Sequence, residues 1–263
     1  MHEFAFVFAG FAVGLVVGLT GVGGGSLMTP LLIFFFGIKP HLAIGTDLLF
    51  AAFTKMGGTV SLARARAVDW KIVGQTAAGS IPASLATLYM LQRLGPANPA
   101  TQTIMTTTLG LALLLTAGAT FYKAVLGKAA PTTIAPEGIV QATRARHWAL
   151  PLLFGAVIGT LVTLTSVGAG AIGVIVLMLL YPTLPLPRIV AADIAHAVPL
   201  TLVAGLGHAS IGSVDWSLLI KLLAGSLPGI WLGSHLVHKT PDRVIRSLLS
   251  VLLAYAGVKL ISI

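Results

Sequence analysis

Ten apolar stretches alternate with short polar breaks along the chain, at 4–20, 26–38, 41–63, 69–92, 99–122, 148–165, 170–181, 187–208, 214–236 and 243–263. A helix needs roughly 20 residues to cross the hydrocarbon of a bilayer. The second and seventh stretches fall short of that, so they are expected to be half-spanning, re-entrant or strongly tilted helices. Residues 123–147, KAVLGKAAPTTIAPEGIVQATRARH, make the only long polar connection. It reads as a linker between an N-terminal unit, 1–122, and a C-terminal unit, 148–263.

The two units repeat one another. GLVVGLTGVGGGS from Gly14 is answered by GTLVTLTSVGAGA from Gly159, and AIGTD ending at Asp47 by IVAAD ending at Asp193. VDWKIVGQTAAGSIP at 68–82 is answered by VDWSLLIKLLAGSLP at 214–228. Asp193 follows Asp47, and Trp216 follows Trp70, by the same 146 residues. Matched Asp, Trp and Pro are not what chance similarity of apolar residues gives. Looking for internal repeats early therefore changes the fold reading.

Each copy holds five stretches, an odd number, so the second copy is expected upside down relative to the first. Loop charges agree. ARARAVDWK, around the first VDW, carries three basic residues, Arg64, Arg66 and Lys71, whereas GHASIGSVDWS has none before Lys221. The loop at 93–98 carries only Arg93, but its counterpart carries Lys239, Arg243 and Arg246. Positive loops face the cytoplasm. This places both termini outside and the 123–147 linker inside.

Composition fixes the solvent. The chain is 56% hydrophobic and 9% charged, against about 25% charged for a soluble domain. So few charges cannot wet a soluble body of 263 residues; the expected class is an all-α integral membrane protein. The net charge of +9 lies in loop clusters rather than along one face, which argues against a nucleic-acid partner. With no cysteine there is no disulfide, thiolate metal site or thiol catalysis. MHEFAFVFAG lacks a basic start and a clear cleavage site, so it reads as a retained first membrane segment.

The glycine-rich turns are the first candidates for chemistry. Backbone groups left unpaired in hydrocarbon cost several kcal/mol each, so such breaks persist only where protein or water satisfies them. A turn that opens a helix also aims free N–H groups and the positive dipole end at one spot, which suits an anion. Gly21, Gly23, Gly24, Gly25 and Ser26 form the first turn; Gly168, Gly170 and Ala171 form the second. Thr20, Thr165 and Ser166 flank them with hydroxyls. The competing reading is close helix packing by small residues. GLTGVGG has the glycine density of a phosphate loop, but no Lys follows.

Ionisable residues inside apolar segments are costly and default to function. Lys55 falls near the middle of the third stretch, where it would neutralise a bound anion or pair with Asp47. Asp47 and Asp193 occupy equivalent positions, as proton-coupling candidates or as caps of neighbouring helices. Asp193 and His196 share one helix face, and histidine titrates near neutral pH. His208 and His235 read as interfacial, His147 and His238 as loop residues; Pro82 and Pro228 read as helix kinks. No HExxH occurs, and the membrane histidine has no accompanying nucleophile, so an enzyme is not expected. No cofactor or metal is expected.

GVGGGSLMTPLL, AIGTD and the paired AGS-[IL]-P segments resemble the TauE/SafE family of membrane permeases, a family of sulfite exporters, over essentially the whole chain. The matched positions are Gly21, Gly23, Gly24, Gly25, Pro30, Gly45, Thr46 and Asp47. In the second half the site reads SVGAGAIGVIV, without a proline matching Pro30. The resemblance implies a multi-pass inner-membrane exporter of sulfite, organosulfonates or related sulfur oxyanions. Its substrate would sit between the two repeats during alternating access, with Thr46 among the contacts. The bilayer and a homodimer are the other expected partners. A small-anion channel is the alternative, followed by an integral membrane enzyme or assembly subunit.

Overall fold

The computed structural model describes residues 2–20, 25–126, 149–168, 170–236 and 242–262. Among these the chain is all-helical, without a strand: α1 His2–Thr20, α2 Gly25–Phe36, α3 Pro40–Arg64, α4 Trp70–Leu94, α5 Pro99–Leu126, α6 Ala149–Thr165, α7 Ala171–Leu180, α8 Leu186–Ser210, α9 Trp216–Leu236 and α10 Asp242–Ile261. Each apolar stretch becomes one helix. α5 runs on to Leu126, into the expected linker; the rest of the linker lies outside the described residues.

Length and apolarity together suit α5 over Pro99–Phe121, α8 and α9 to a bilayer crossing. α2 and α7 have 12 and 10 residues. At 1.5 Å per residue they extend roughly 15–18 Å, about half the hydrocarbon thickness. Large apolar side chains cover the outside, among them Phe4, Phe35, Leu179, Val251 and Tyr255. That surface needs lipid rather than water.

The repeated VDW is explained by where it falls. Asp69 stands just before α4, and its Oδ1 accepts from the backbone N–H groups of Lys71 at 3.0 Å and Ile72 at 3.4 Å. Asp215 does the same before α9, accepting from Leu218 N at 3.0 Å. The following tryptophans, Trp70 and Trp216, are 60% and 55% exposed. An acid that satisfies the orphan donors of a helix start, followed by an interfacial aromatic, anchors each helix end at a membrane surface.

Helix contacts follow the repeat. α1 packs on α9 through glycines: a Cβ at Gly10, Gly14 or Gly18 would come within 2.4 Å of the carbonyl oxygens of Leu222, Ser226 and Ile230 respectively. Gly225, Gly229 and Gly233 meet α1 backbone in the same way. The equivalent pair, α6 and α4, is joined by Gly155 and Gly159 against the Thr76 and Ser80 carbonyls, with Gly79 against that of Leu152. Small residues permit backbone approach that no larger side chain allows. Both pairs run parallel.

Helices equivalent to one another cross antiparallel. Gly45 of α3 meets the Ser213 carbonyl and the His208 Cβ, and Gly205 of α8 meets Leu49. Gly110 of α5 meets Gly257 and Ile261 of α10, while Gly257 meets Leu114. The α3–α8 crossing is the centre of the molecule, and α2 and α7 pack against it from either side. Met28, Leu32 and Phe50 fill the α2 side with Leu219 and Leu222; Val174, Leu177 and Ala192 lie on the α7 side.

Candidate substrate site

Each of the two equivalent acids holds the short helix of its own half. Asp47 is fully buried on α3, and Thr29 of α2 donates to its Oδ2 at 2.5 Å. Asp193 on α8 is 3% exposed and lies so close to α7 that a Cβ at Gly173 would sit 2.0 Å from its Oδ1. Only glycine fits there.

Asp47 keeps an open side. Its Oδ1 is buried without a hydrogen-bond partner, and so is the Ser166 hydroxyl that lies beside it, short of hydrogen-bond geometry. Ser166 belongs to the second glycine turn, so that turn reaches the acid of the opposite half. Its backbone adopts φ 60°, and Gly168 and Gly170 follow at 130° and 134°. A non-glycine residue in the left-handed region is uncommon and clusters at functional sites. Gly170 then opens α7 with no side chain capping it.

Lys55 is the only lysine or arginine among the described residues that is buried, at 7% exposure. It lies within electrostatic range of both Asp193 and Asp47. The crossing explains this. Each step along α3 matches a step back along α8, so Lys55 comes level with Pro199 and Leu200, with the two acids on opposite sides. His196, 3% exposed, faces Lys55 and places its Nε2 2.8 Å from the Ser80 hydroxyl of α4.

The structure therefore brings Asp47, Lys55, Ser166, Asp193 and His196 to one buried region. Thr46 and Thr165 are held elsewhere. The Thr46 hydroxyl accepts from Asp215 N at 3.0 Å, tying α3 to the start of α9. Thr165 donates to the carbonyls of Leu161 at 2.7 Å and Val167 at 2.9 Å, closing the turn after α6. Gly21, Gly23 and Gly24 lie outside the described residues, and Thr20, Gly25 and Ser26 are placed by backbone alone. His208 is not interfacial but fully buried, with Nε2 2.9 Å from the Thr163 carbonyl of α6. The apolar context of α8 continues through the last turn and takes that side chain with it.

Sequence reasoning missed Thr29, Ser80 and Gly173. Ser80 carried a signal, since it belongs to the repeated AGS-Pro segment. Thr29 and Gly173 carried none: each is one small residue in an apolar helix. Among the described residues no cluster of three or more His, Asp or Glu is arranged to hold a metal ion.

The family model described as "Sulfite exporter TauE/SafE" matches residues 6–260. The chain is 36% identical over 255 residues to the "Probable membrane transporter protein YjnA" of Bacillus subtilis strain 168, covering 97% of this chain and 98% of that protein. It is 27% identical over 255 residues to the same organism's "Probable membrane transporter protein YdhB", covering 95% of this chain and 97% of that one. A third relative from that organism, "Probable membrane transporter protein YunE", is 27% identical over 272 residues, with 97% and 96% covered. No solved structure matches the chain. The chain belongs to the TauE/SafE family, and it is a multi-pass membrane protein of transporter type.

Proposed function

We propose that this TauE/SafE member is a secondary carrier that exports sulfite or a related sulfur oxyanion or organosulfonate, with the substrate bound at the α3–α8 crossing. The observation that carries the reading is Lys55: the one buried lysine or arginine among the described residues, within electrostatic range of two repeat-equivalent acids and near a glycine turn whose Ser166 hydroxyl is unpartnered.

A buried ammonium needs a counter-charge, since an isolated ion in low dielectric costs many kcal/mol. Asp47 and Asp193 supply it in the empty carrier. An arriving oxyanion competes for the same ammonium, and the displaced carboxylate takes up a proton or moves toward water. His196, beside Lys55, is the group that relays that proton. The bare start of α7 and the Ser166 hydroxyl offer the oxyanion oxygens hydrogen-bond donors.

Two halves related by inversion exchange their exposure when one rocks against the other around a fixed central site. The antiparallel crossing of α3 with α8 and of α5 with α10 supports that inverted arrangement. The basic loop carrying Arg64 and Arg66 supports a cytoplasmic position for the α3–α4 connection, with the chain ends on the periplasmic side of the inner membrane. An outward flux of anions then runs with the membrane potential, by about 2.3 kcal/mol per charge at 100 mV.

The test is counterflow in proteoliposomes. Preloaded sulfite is expected to accelerate uptake of labelled sulfite, and the rate to saturate. Large uncoupled currents that never saturate would instead make the protein an anion channel.

A further inference from the structure

Outside the central site, the N-terminal turns of α4 form an open groove with α6, lined by Trp70, Lys71, Gly74, Gln75, Ala78 and Leu152, with a volume of about 420 Å³. Its volume falls in the range of ligand pockets. The groove divides along its length. Gly74, Ala78 and Leu152 make an apolar floor, and an added Cβ at Gly74 would meet nothing within 4 Å.

The rim is rich in donors. The Trp70 indole N–H and the Lys71 ammonium cannot accept a hydrogen bond. Gln75 accepts at Oε1 from the Tyr181 hydroxyl at 3.0 Å and has its N–H₂ to donate. The nearby acid, Asp69, turns its Oδ1 to the backbone N–H groups of Lys71 and Ile72. Arg64 and Arg66 stand exposed in the loop just before the groove. Apolar lining residues beside a donor-rich, basic helix end match an amphiphile with an anionic head.

We propose that this groove holds an anionic glycerophospholipid of the leaflet that the basic loop faces, with its phosphate at Lys71 and Gln75 and an acyl chain along Gly74 and Ala78. The interfacial tryptophan fits headgroup depth, where such rings concentrate. The second repeat differs at the lining positions. Ile220 stands where the first has Gly74, Ser217 stands where it has Lys71, and Lys221 where it has Gln75. The lipid site is thus a one-sided feature of a duplicated fold, independent of the substrate assigned to the centre.

The test uses the full chain purified in detergent and titrated with phosphatidylglycerol, with phosphatidylcholine of the same acyl chains, and with glycerophosphate. Native mass spectrometry reads bound lipid, and thermal unfolding reads stabilisation. Phosphatidylglycerol is expected to remain bound and raise the unfolding temperature more than phosphatidylcholine does, with no effect from glycerophosphate. Lys71→Ser, at an exposed position that will not disturb folding, should weaken phosphatidylglycerol about fivefold. Gly74→Ile, which installs the second repeat's residue, should abolish it. Equal binding of both lipids, equal binding of glycerophosphate, or unchanged binding to Gly74→Ile overturns the proposal. So does a groove that takes up no lipid.

Discussion

At the position where α3 carries Lys55, α8 carries Thr201, whose hydroxyl donates to the Ala197 carbonyl at 2.7 Å and the Val198 carbonyl at 3.3 Å, both on its own helix. Where α8 carries His196, α3 carries Phe50, buried against Met28 and Leu32. Where α6 carries Thr163, bonded to Ser84 at 2.7 Å, α1 carries Gly18 against the Ile230 carbonyl. Yet the acids, the VDW caps and the close glycine contacts occur in both halves. The shared residues build and hold the helices; on the proposed reading the unshared ones supply the central cation, the proton relay and the lipid groove.

The comparison can be broken at several points. The largest effect is expected from packing. Gly14→Leu forces a side chain into the Ser226 carbonyl and should destabilise the protein by about 3 kcal/mol or more. Gly57→Ala, where an added Cβ meets nothing, should not. Thermal unfolding in detergent separates the two, and equal stability would remove the glycine contacts from the account. Gly173→Ala comes next. The methyl displaces Asp193, so transport should fall sharply while the fold survives; unchanged flux would mean that the acid's position is unimportant.

Thr29→Val strips Asp47 of the hydrogen bond from the Thr29 hydroxyl and should cost about 1–3 kcal/mol. The same change at Thr201 leaves no buried group unpaired and should cost less. Chemical unfolding measures both, and a reversed order would contradict the asymmetry. The smallest effect in rate is expected from His196→Phe, which gives α8 the residue of α3. Transport should persist but lose its pH response. Retention of the full response rules out the relay.

Much of this framework was legible in the sequence. Apolar runs of helix length, broken by Gly, Pro and basic clusters, gave ten segments that fall within a few residues of the ten helices; 41–63, for example, became Pro40–Arg64. The steady 146-residue offset paired the acids. Partners across helices were not legible. Ser80 and His196 are 116 residues apart, and Thr163 and Ser84 are 79 apart. Both meetings depend on a crossing set by glycine contacts, whose geometry no single segment encodes. Thr46 shows the converse: a residue of the recognisable AIGTD segment whose hydroxyl turns to a loop N–H, because the α8–α9 connection passes over that turn.

The central claim, that one buried lysine between two acids is where the oxyanion binds, is tested most directly by sulfite flux in proteoliposomes containing Lys55→Gln. Glutamine keeps the length of much of the side chain and removes the charge. At matched reconstitution and with the protein shown to be folded, the account predicts that saturable sulfite transport is lost. Flux equal to that of the unaltered protein, with the same half-saturation, would contradict it.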